Sequence, residues 1–122
     1  MAYILIIDDN KNFRDLLQNF FEDNGYETAA APDGGQGIKL FLSRPADLVI
    51  TDILMPEKEG IETIRELRQD CPDIKIIAVS GGGSIQAESC LKMALRFGAV
   101  EAFLKPVGLT ELLGAVQKHL AE

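Results

Sequence analysis

The sequence predicts a doubly wound α/β fold, in which one domain over residues 1–122 forms a five-stranded parallel sheet with helices on both faces. Three observations predict it. Strand-like and helix-like segments alternate five times, their connections are short, and the strand-like segments are apolar runs rich in β-branched residues. Such alternation requires parallel strands joined by right-handed crossovers, so the helices must cover both faces of the sheet.

The strand-like segments lie at residues 3–7, 26–30, 47–51, 74–79 and 100–104. Apolar residues at helical spacing follow each of them, within residues 13–21, 38–42, 61–67, 87–95 and 109–120. Asn10 is a suitable N-cap for the first helix, and Gly25 suits the position just after its last turn. The order of elements is therefore (βα) repeated five times.

The composition disfavours several classes of protein. With 19 acidic and 12 basic residues, the formal net charge of −7 disfavours binding to nucleic acid or to an anionic membrane surface. Cys71 and Cys90 have neither metal-ligand spacing nor a disulfide framework, and we find no signal peptide. No apolar run approaches the roughly 20 residues of a membrane-spanning helix. We therefore expect a soluble protein of the reducing cytoplasm, without a direct nucleic-acid partner.

Polar side chains follow four of the five predicted strands. Asp8 and Asp9 follow the first strand, Asp52 the third, Ser80 the fourth and Lys105 the fifth. Ligands of open parallel sheets bind beyond the carboxyl ends of the strands, at the topological switch point. The second strand ends in alanines, and a flavodoxin-like strand order 2-1-3-4-5 places it at the sheet edge, away from that point. The sequence therefore predicts one site that gathers these side chains.

Three carboxylates in one site indicate that a cation binds there. Each close pair of carboxylates repels by a few kcal/mol at an effective dielectric constant of about 20. Mg²⁺ is suitable because it binds one or two carboxylates, keeps several waters and completes its octahedron with phosphate oxygen. A carboxylate nucleophile, a divalent ion, an ammonium and a hydroxyl are the groups needed for phosphoryl transfer to an aspartate.

Six motifs occur in order along nearly the whole chain: "ILIIDDN", "FRDLLQNFFEDNGYET", "APDGGQGIKLF", "DLVITDILMPEKEG", "IIAVSGGGS" and "FGAVEAFLKPV". Together they resemble the receiver domains of bacterial two-component response regulators, and the chain is similar to the chemotaxis single-domain type. The resemblance implies that Asp52 is the phosphoacceptor and that Asp8, Asp9, Asp52 and the backbone carbonyl of Leu54 hold Mg²⁺. It also implies that Ser80 is the switch hydroxyl and that Lys105, commonly joined to proline by a cis peptide, contacts the acyl phosphate.

The function implied by the resemblance is a phosphoacceptor signalling switch that catalyses only its own phosphorylation and dephosphorylation. Its phosphodonor would be a sensor histidine kinase or a histidine phosphotransfer protein, since the lone histidine, His119, is expected in the last helix. Phosphorylation would alter a face formed by helix 4, strand 5 and helix 5, which binds a downstream protein or output domain. The exposed candidates on that face are Lys92, Met93, Arg96 and Lys118.

One departure from the family pattern and two alternative functions remain open. The family's switch aromatic lies three positions before the lysine, where this chain has Ala102, and Phe103 is expected on the opposite face. The departure keeps open an unphosphorylated interaction module with the same fold. A haloacid-dehalogenase-like phosphohydrolase requires a second acid two residues after the nucleophile, but Asn10 follows Asp8 and Leu54 follows Asp52 at that spacing. The sequence does not decide between a stand-alone regulator and a receiver from a longer protein.

Overall fold

The computed structural model describes residues 1–53, 59–81 and 85–122. Five strands alternate with five helices, as predicted. Their bounds are β1 Tyr3–Ile7, α1 Lys11–Asp23, β2 Glu27–Ala31, α2 Gly34–Ser43, β3 Leu48–Asp52, α3 Glu59–Asp70, β4 Lys75–Ser80, α4 Ile85–Phe97, β5 Glu101–Leu104 and α5 Leu109–Leu120. Within these described ranges, no helix combines the length and the apolar character that crossing a membrane requires.

The five strands form one parallel sheet in the order β2-β1-β3-β4-β5. The predicted fold class and strand order are therefore confirmed. Since β1, β3 and β4 are neighbours and run in the same direction, their carboxyl ends meet at one edge of the sheet, and the carboxyl end of β5 lies next to that of β4.

Alternate side chains of the sheet enter two separate cores. On one face, Leu5, Val49 and Ile76 pack with residues of α2, α3 and α4. On the other face, Ile50 and Ile77 pack with residues of α1 and α5. The central strands are buried on both sides, which is why their sequences are apolar throughout instead of alternating with polar residues.

Several strand boundaries lie one residue later than the sequence predicts. Tyr26 precedes β2 because its N–H donates to the carbonyl of Phe21 and completes the end of α1. Ile74 precedes β4 because its N–H donates to the carbonyl of Cys71 in a turn. The shift makes Asp52 the last residue of β3.

The predicted ends of α1 are confirmed. The side chain of Asn10 accepts a hydrogen bond of 3.1 Å from the N–H of Phe13, as an N-cap does. Gly25 follows the helix with φ of +90°, a left-handed conformation that a side chain would strain. These two residues set the length of α1, and the N-cap fixes its first turn beside the carboxyl end of β1.

Candidate functional site

The predicted polar residues meet at the carboxyl edge of the sheet. Asp8 follows β1 directly, and its N–H donates to the carbonyl of Ala31 at the end of β2. Asp52 and Ser80 end β3 and β4. Lys105 follows β5, donates its N–H to the carbonyl of Ser80 at 2.7 Å, and is joined to Pro106 by the expected cis peptide.

The three acidic side chains form a compact cluster. Carboxylate oxygens of Asp8, Asp9 and Asp52 all lie within 4.8 Å of one another. Asp8 is 1% exposed and Asp52 is 5% exposed, whereas Asp9 is exposed to solvent. Burial weakens the screening by water, so the repulsion between these carboxylates is stronger than between acids on an open surface.

Lys105 supplies a positive charge to this cluster. Its Nζ lies 2.9 Å from Oδ2 of Asp8 and 3.5 Å from Oδ2 of Asp52. Burial alone would lower the pKa of Lys105, but the hydrogen bond to Asp8 and the charges of Asp52 and Asp8 outweigh it and raise the pKa above its ordinary value of 10.5. The ammonium therefore stays charged at neutral pH and offsets part of the repulsion.

The donor set suits a hard divalent cation such as Mg²⁺. Among the described residues, three carboxylates face one ammonium at the cluster, so negative charge is in excess there. Oxygen is the ligand atom that Mg²⁺ prefers, and one exposed acid beside two buried ones leaves room for the waters that the ion keeps. Leu54, whose carbonyl the resemblance adds to the ligands, lies outside the described residues.

Asp8 is held by groups on three sides. Its Oδ1 accepts a hydrogen bond of 2.8 Å from the N–H of Asn10, while Oδ2 faces Lys105. A guanidinium N–H of Arg14 donates to the Asp8 carbonyl at 2.8 Å. The sequence does not predict this contact of Arg14, because an arginine in an amphipathic helix is ordinarily expected on the solvent-exposed face.

Phe13 was also missed as a residue of the site. Its ring lies under the Lys105 ammonium, with 4.3 Å between Nζ and the ring centroid. In the sequence Phe13 is one apolar position of an amphipathic helix, and it does pack against the core between α1 and α5. Helical periodicity cannot reveal that one face of this ring also lies against a charged site.

The hydroxyl of Ser80 is buried at the same edge. Ser80 is 0% exposed, and its Oγ has no hydrogen-bond partner in the part of the chain that the structure describes. A buried hydroxyl without a partner is unfavourable, and such groups call for a functional explanation. A ligand oxygen at the site would satisfy it.

Gly60 brings α3 against the end of β3. A Cβ at this position would overlap the Cα of Ile53 and lie 2.8 Å from the carbonyl oxygen of Asp52. From the sequence alone, a glycine after a strand has an ordinary explanation as a strand breaker. The close approach shows that the absence of a side chain lets the helix pack against the backbone that carries Asp52.

His119 lies away from the carboxylate cluster. Its Nε2 is 2.8 Å from Oε2 of Glu101, the first residue of β5, and its Nδ1 is 3.1 Å from Oε1 of Glu122. Lys105 follows the opposite end of β5, so His119 lies apart from the described residues of the site. The position of His119 in the last helix is as predicted.

The residues around the switch aromatic position lie on opposite faces of β5, as expected. Ala102 packs against the core beneath α2, α3 and α4, and Phe103 packs against the core beneath α1 and α5. An alanine therefore stands on the face where the family pattern has an aromatic ring, and the ring of Phe103 does not replace it.

Comparisons with known proteins agree with this architecture. A family model described as the response regulator receiver domain matches residues 4–117. Regulatory protein AtoC of Escherichia coli (strain K12) is 36% identical over 117 residues, which are 96% of this chain and 25% of AtoC. Chemotaxis protein CheY of Bacillus subtilis (strain 168) is 33% identical over 118 residues, which are 96% of this chain and 96% of CheY. The chain thus spans a quarter of one relative and nearly all of another.

The crystal structure of a response regulator receiver domain protein from Clostridium thermocellum has the same fold. It superposes with a TM-score of 0.90 at 28% identity and covers 99% of this chain and 95% of that one. The family match extends over β1 to α5 and includes every residue of the carboxylate cluster. The chain therefore belongs to the response regulator receiver domain family.

Proposed function

We propose that this protein is a phosphoacceptor signalling switch, in which Asp52 receives a phosphoryl group in an Mg²⁺-dependent reaction. The observation that carries the proposal is the meeting of the Asp8, Asp9 and Asp52 carboxylates with the Lys105 ammonium at one edge of the sheet. Family membership supports it, because phosphorylation and Mg²⁺ binding are typical of receiver domains.

The proposed ligands of Mg²⁺ are the carboxylates of Asp8, Asp9 and Asp52 and the backbone carbonyl of Leu54. When bound, the ion supplies positive charge that reduces repulsion between the carboxylates and an incoming phosphoryl group. Asp8 is preoriented for ligation, since the N–H of Asn10 and the Lys105 ammonium each contact one of its oxygens.

In the proposed reaction, a carboxylate oxygen of Asp52 attacks phosphorus. An O–P bond forms while the P–N bond of the donor's phosphohistidine breaks, and the released imidazole nitrogen takes up a proton. The Lys105 ammonium, already 3.5 Å from Asp52 Oδ2, stabilises the charge of the transferred group. The buried Ser80 hydroxyl donates to a phosphoryl oxygen and so gains a partner, which it does not have among the described residues.

The phosphodonor is proposed to be a sensor histidine kinase or a histidine phosphotransfer protein. His119 cannot take this role within the chain, because it is 6% exposed and contacts Glu101 and Glu122 at the other end of β5. We propose a cytoplasmic location, in keeping with the two free thiols of Cys71 and Cys90.

The proposed output face comprises α4, β5 and α5, which would bind a downstream protein or an output domain. Lys92, Met93, Arg96 and Lys118 are all exposed there, as the sequence predicted. Phosphorylation would alter this face by turning the Ser80 hydroxyl toward the phosphoryl group, since Ser80 ends β4 and pairs with Leu104 of β5. In this proposal the chain catalyses only its own phosphorylation and dephosphorylation.

Intact-protein mass spectrometry after incubation with acetyl phosphate tests the proposal. The wild type should gain one phosphate in the presence of Mg²⁺ and none in EDTA. Asp52→Asn should gain none, because an amide oxygen is a poor nucleophile. Asp23→Asn makes the same change at the end of α1, remote from the cluster, and should be phosphorylated like the wild type.

The other outcomes would support different functions. If the wild type gains no phosphate, the unphosphorylated interaction module becomes the better explanation. Repeated release of inorganic phosphate without a lasting adduct would favour a phosphohydrolase. An adduct that persists in Asp52→Asn would mean that another residue accepts the phosphoryl group.

A further inference from the structure

The Lys105 ammonium has an aromatic neighbour in addition to its two carboxylates. Nζ lies 4.3 Å from the centroid of the Phe13 ring, while Oδ2 of Asp8 and Oδ2 of Asp52 lie at 2.9 and 3.5 Å. An ammonium over a ring face at this distance is attracted by the quadrupole of the ring. The Lys105 ammonium is therefore contacted by Asp8 and Asp52, at the ends of two strands, and by Phe13 of α1.

The position of the Phe13 ring is fixed by the first turn of α1. The N–H of Phe13 donates to Oδ1 of Asn10, and the N–H of Asn10 donates to Oδ1 of Asp8. The ring itself packs against the core between α1 and α5. Asn10 therefore links the backbone of Phe13 to the Asp8 carboxylate on the other side of the ammonium.

A ring and a carboxylate hold an ammonium in different ways. Asp8 lies closer to Nζ than Asp52 does, so the attraction of the ammonium to Asp8 is the stronger of the two. The ring carries no formal charge, and it therefore neither repels an incoming phosphoryl group nor competes as an oxygen ligand. Its attraction persists when anionic oxygens arrive at Asp52.

We propose that Phe13 is a positioning residue for phosphoryl transfer: its ring holds the Lys105 ammonium beside Asp52. This inference rests on the proposed function. The proposed role can be distinguished from packing alone. Packing requires only an apolar side chain of suitable volume at position 13. The attraction to the ammonium requires an aromatic face with a positive charge opposite it.

The rate of phosphorylation by acetyl phosphate at saturating Mg²⁺ tests the proposal. Phe13→Leu should lower this rate about two- to fivefold, the equivalent of ~0.5–1 kcal/mol at 1.36 kcal/mol per tenfold. Phe13→Tyr keeps the ring face and should retain the wild-type rate. Phe20→Leu is the matched control and should leave the rate unchanged. Phe20 lies on the same helix and packs against the same core, but its ring contacts Phe21 edge-on instead of facing Lys105.

A double-mutant cycle separates attraction from packing. In a Lys105→Met background the charge is absent, so adding Phe13→Leu should cause no further loss. If Phe13→Leu lowers the rate equally in both backgrounds, or if it behaves like Phe20→Leu, the positioning role is wrong although the phosphoacceptor function stands. If the wild type itself gains no phosphate on Asp52, the proposed function fails and this inference fails with it.

Nuclear magnetic resonance of the metal-free protein gives a readout independent of activity. Protons of the Lys105 ε-methylene and ammonium above the Phe13 face should be shielded and resonate upfield. The upfield shift should persist in Phe13→Tyr and in Phe20→Leu and disappear in Phe13→Leu. Unshifted Lys105 resonances in the wild type would contradict the geometry on which the proposal depends.

Discussion

The ammonium of Lys105 lies 2.9 Å from Oδ2 of Asp8, although 97 positions separate the two residues in the sequence. This contact joins the end of β1 to the end of β5 across the carboxyl edge of the sheet. Asp9 and Asp52 add two further carboxylates to the same cluster, so the described residues of the site carry excess negative charge. The stability of the folded chain should therefore respond to added cations.

Addition of Mg²⁺ should raise the free energy of unfolding of the wild type, since the proposed site exists only in the folded chain, where the acids lie together. At 100 times the dissociation constant the increase is about 2.7 kcal/mol. Asp8→Asn should lose most of it, whereas Asp23→Asn, at the end of α1, should keep it. Urea denaturation with and without EDTA measures the effect, and equal responses of the two variants would contradict a site at Asp8.

Gly60→Ala should destabilise the protein by about 1–3 kcal/mol and slow phosphorylation of Asp52. The added methyl group meets the backbone of Ile53 and Asp52, which cannot rotate away as a side chain can. Gly35→Ala is the control, because this glycine also lies in the first turn of a helix and a Cβ there would have the Asp33 Oδ1 as its nearest described neighbour, at an ordinary contact distance of 3.5 Å. Urea denaturation and the acetyl phosphate rate report the two effects. A Gly60→Ala variant as stable and as active as Gly35→Ala would refute the close approach.

Gly114→Ala should stabilise the protein by about 0.5–1 kcal/mol. Gly114 lies inside α5, is exposed, and has open space where a Cβ would stand among the described residues. Alanine restricts the unfolded chain and favours the helix. Gly25→Ala should have the opposite effect, since Gly25 has φ of +90°. Thermal unfolding measures both changes in stability. If Gly114→Ala is more stable but accepts phosphoryl groups from a histidine kinase more slowly, a contact with the partner explains the glycine.

The acid stability of the protein should depend on Glu122. The hydrogen bond to His119, followed by that to Lys75, lowers the pKa of Glu122 below its ordinary value of 4.5. A carboxyl whose pKa is lower in the folded state stabilises the fold above pH 4.5, and this contribution disappears as the pH falls through the lowered pKa. Glu122→Gln should therefore be less stable than the wild type at pH 7, and the difference should shrink below pH 4.5.

Urea denaturation from pH 7 to pH 3 measures this difference. Glu66→Gln removes one exposed carboxylate from α3 and serves as the control for overall charge. The expected result is a loss of unfolding free energy in Glu122→Gln that shrinks as the pH falls. If this loss is constant across the pH range, or equals that of Glu66→Gln, the contacts of Glu122 do not contribute to folding.

Much of this protein is determined by local sequence. The apolar runs and the helical spacing predict every element, because period 2 or 3.6 in hydrophobicity reflects which face of an element is buried. The alternation of strands and helices predicts a parallel sheet, and the carboxyl ends of parallel strands lie at the same edge, where the acids are then expected to meet. Asp8, Asp52, Ser80 and Lys105 could therefore be found from the sequence alone.

The tertiary structure alone decided which groups meet those residues. Phe13 and Gly60 have ordinary local explanations, a core position and a strand breaker, and their roles at the site arise from contacts with distant residues. The partners of His119 depend likewise on where β5 and the chain end pack against α5. Periodicity records burial along one element, whereas contacts of a few ångströms depend on how several elements pack together, and no local pattern encodes that.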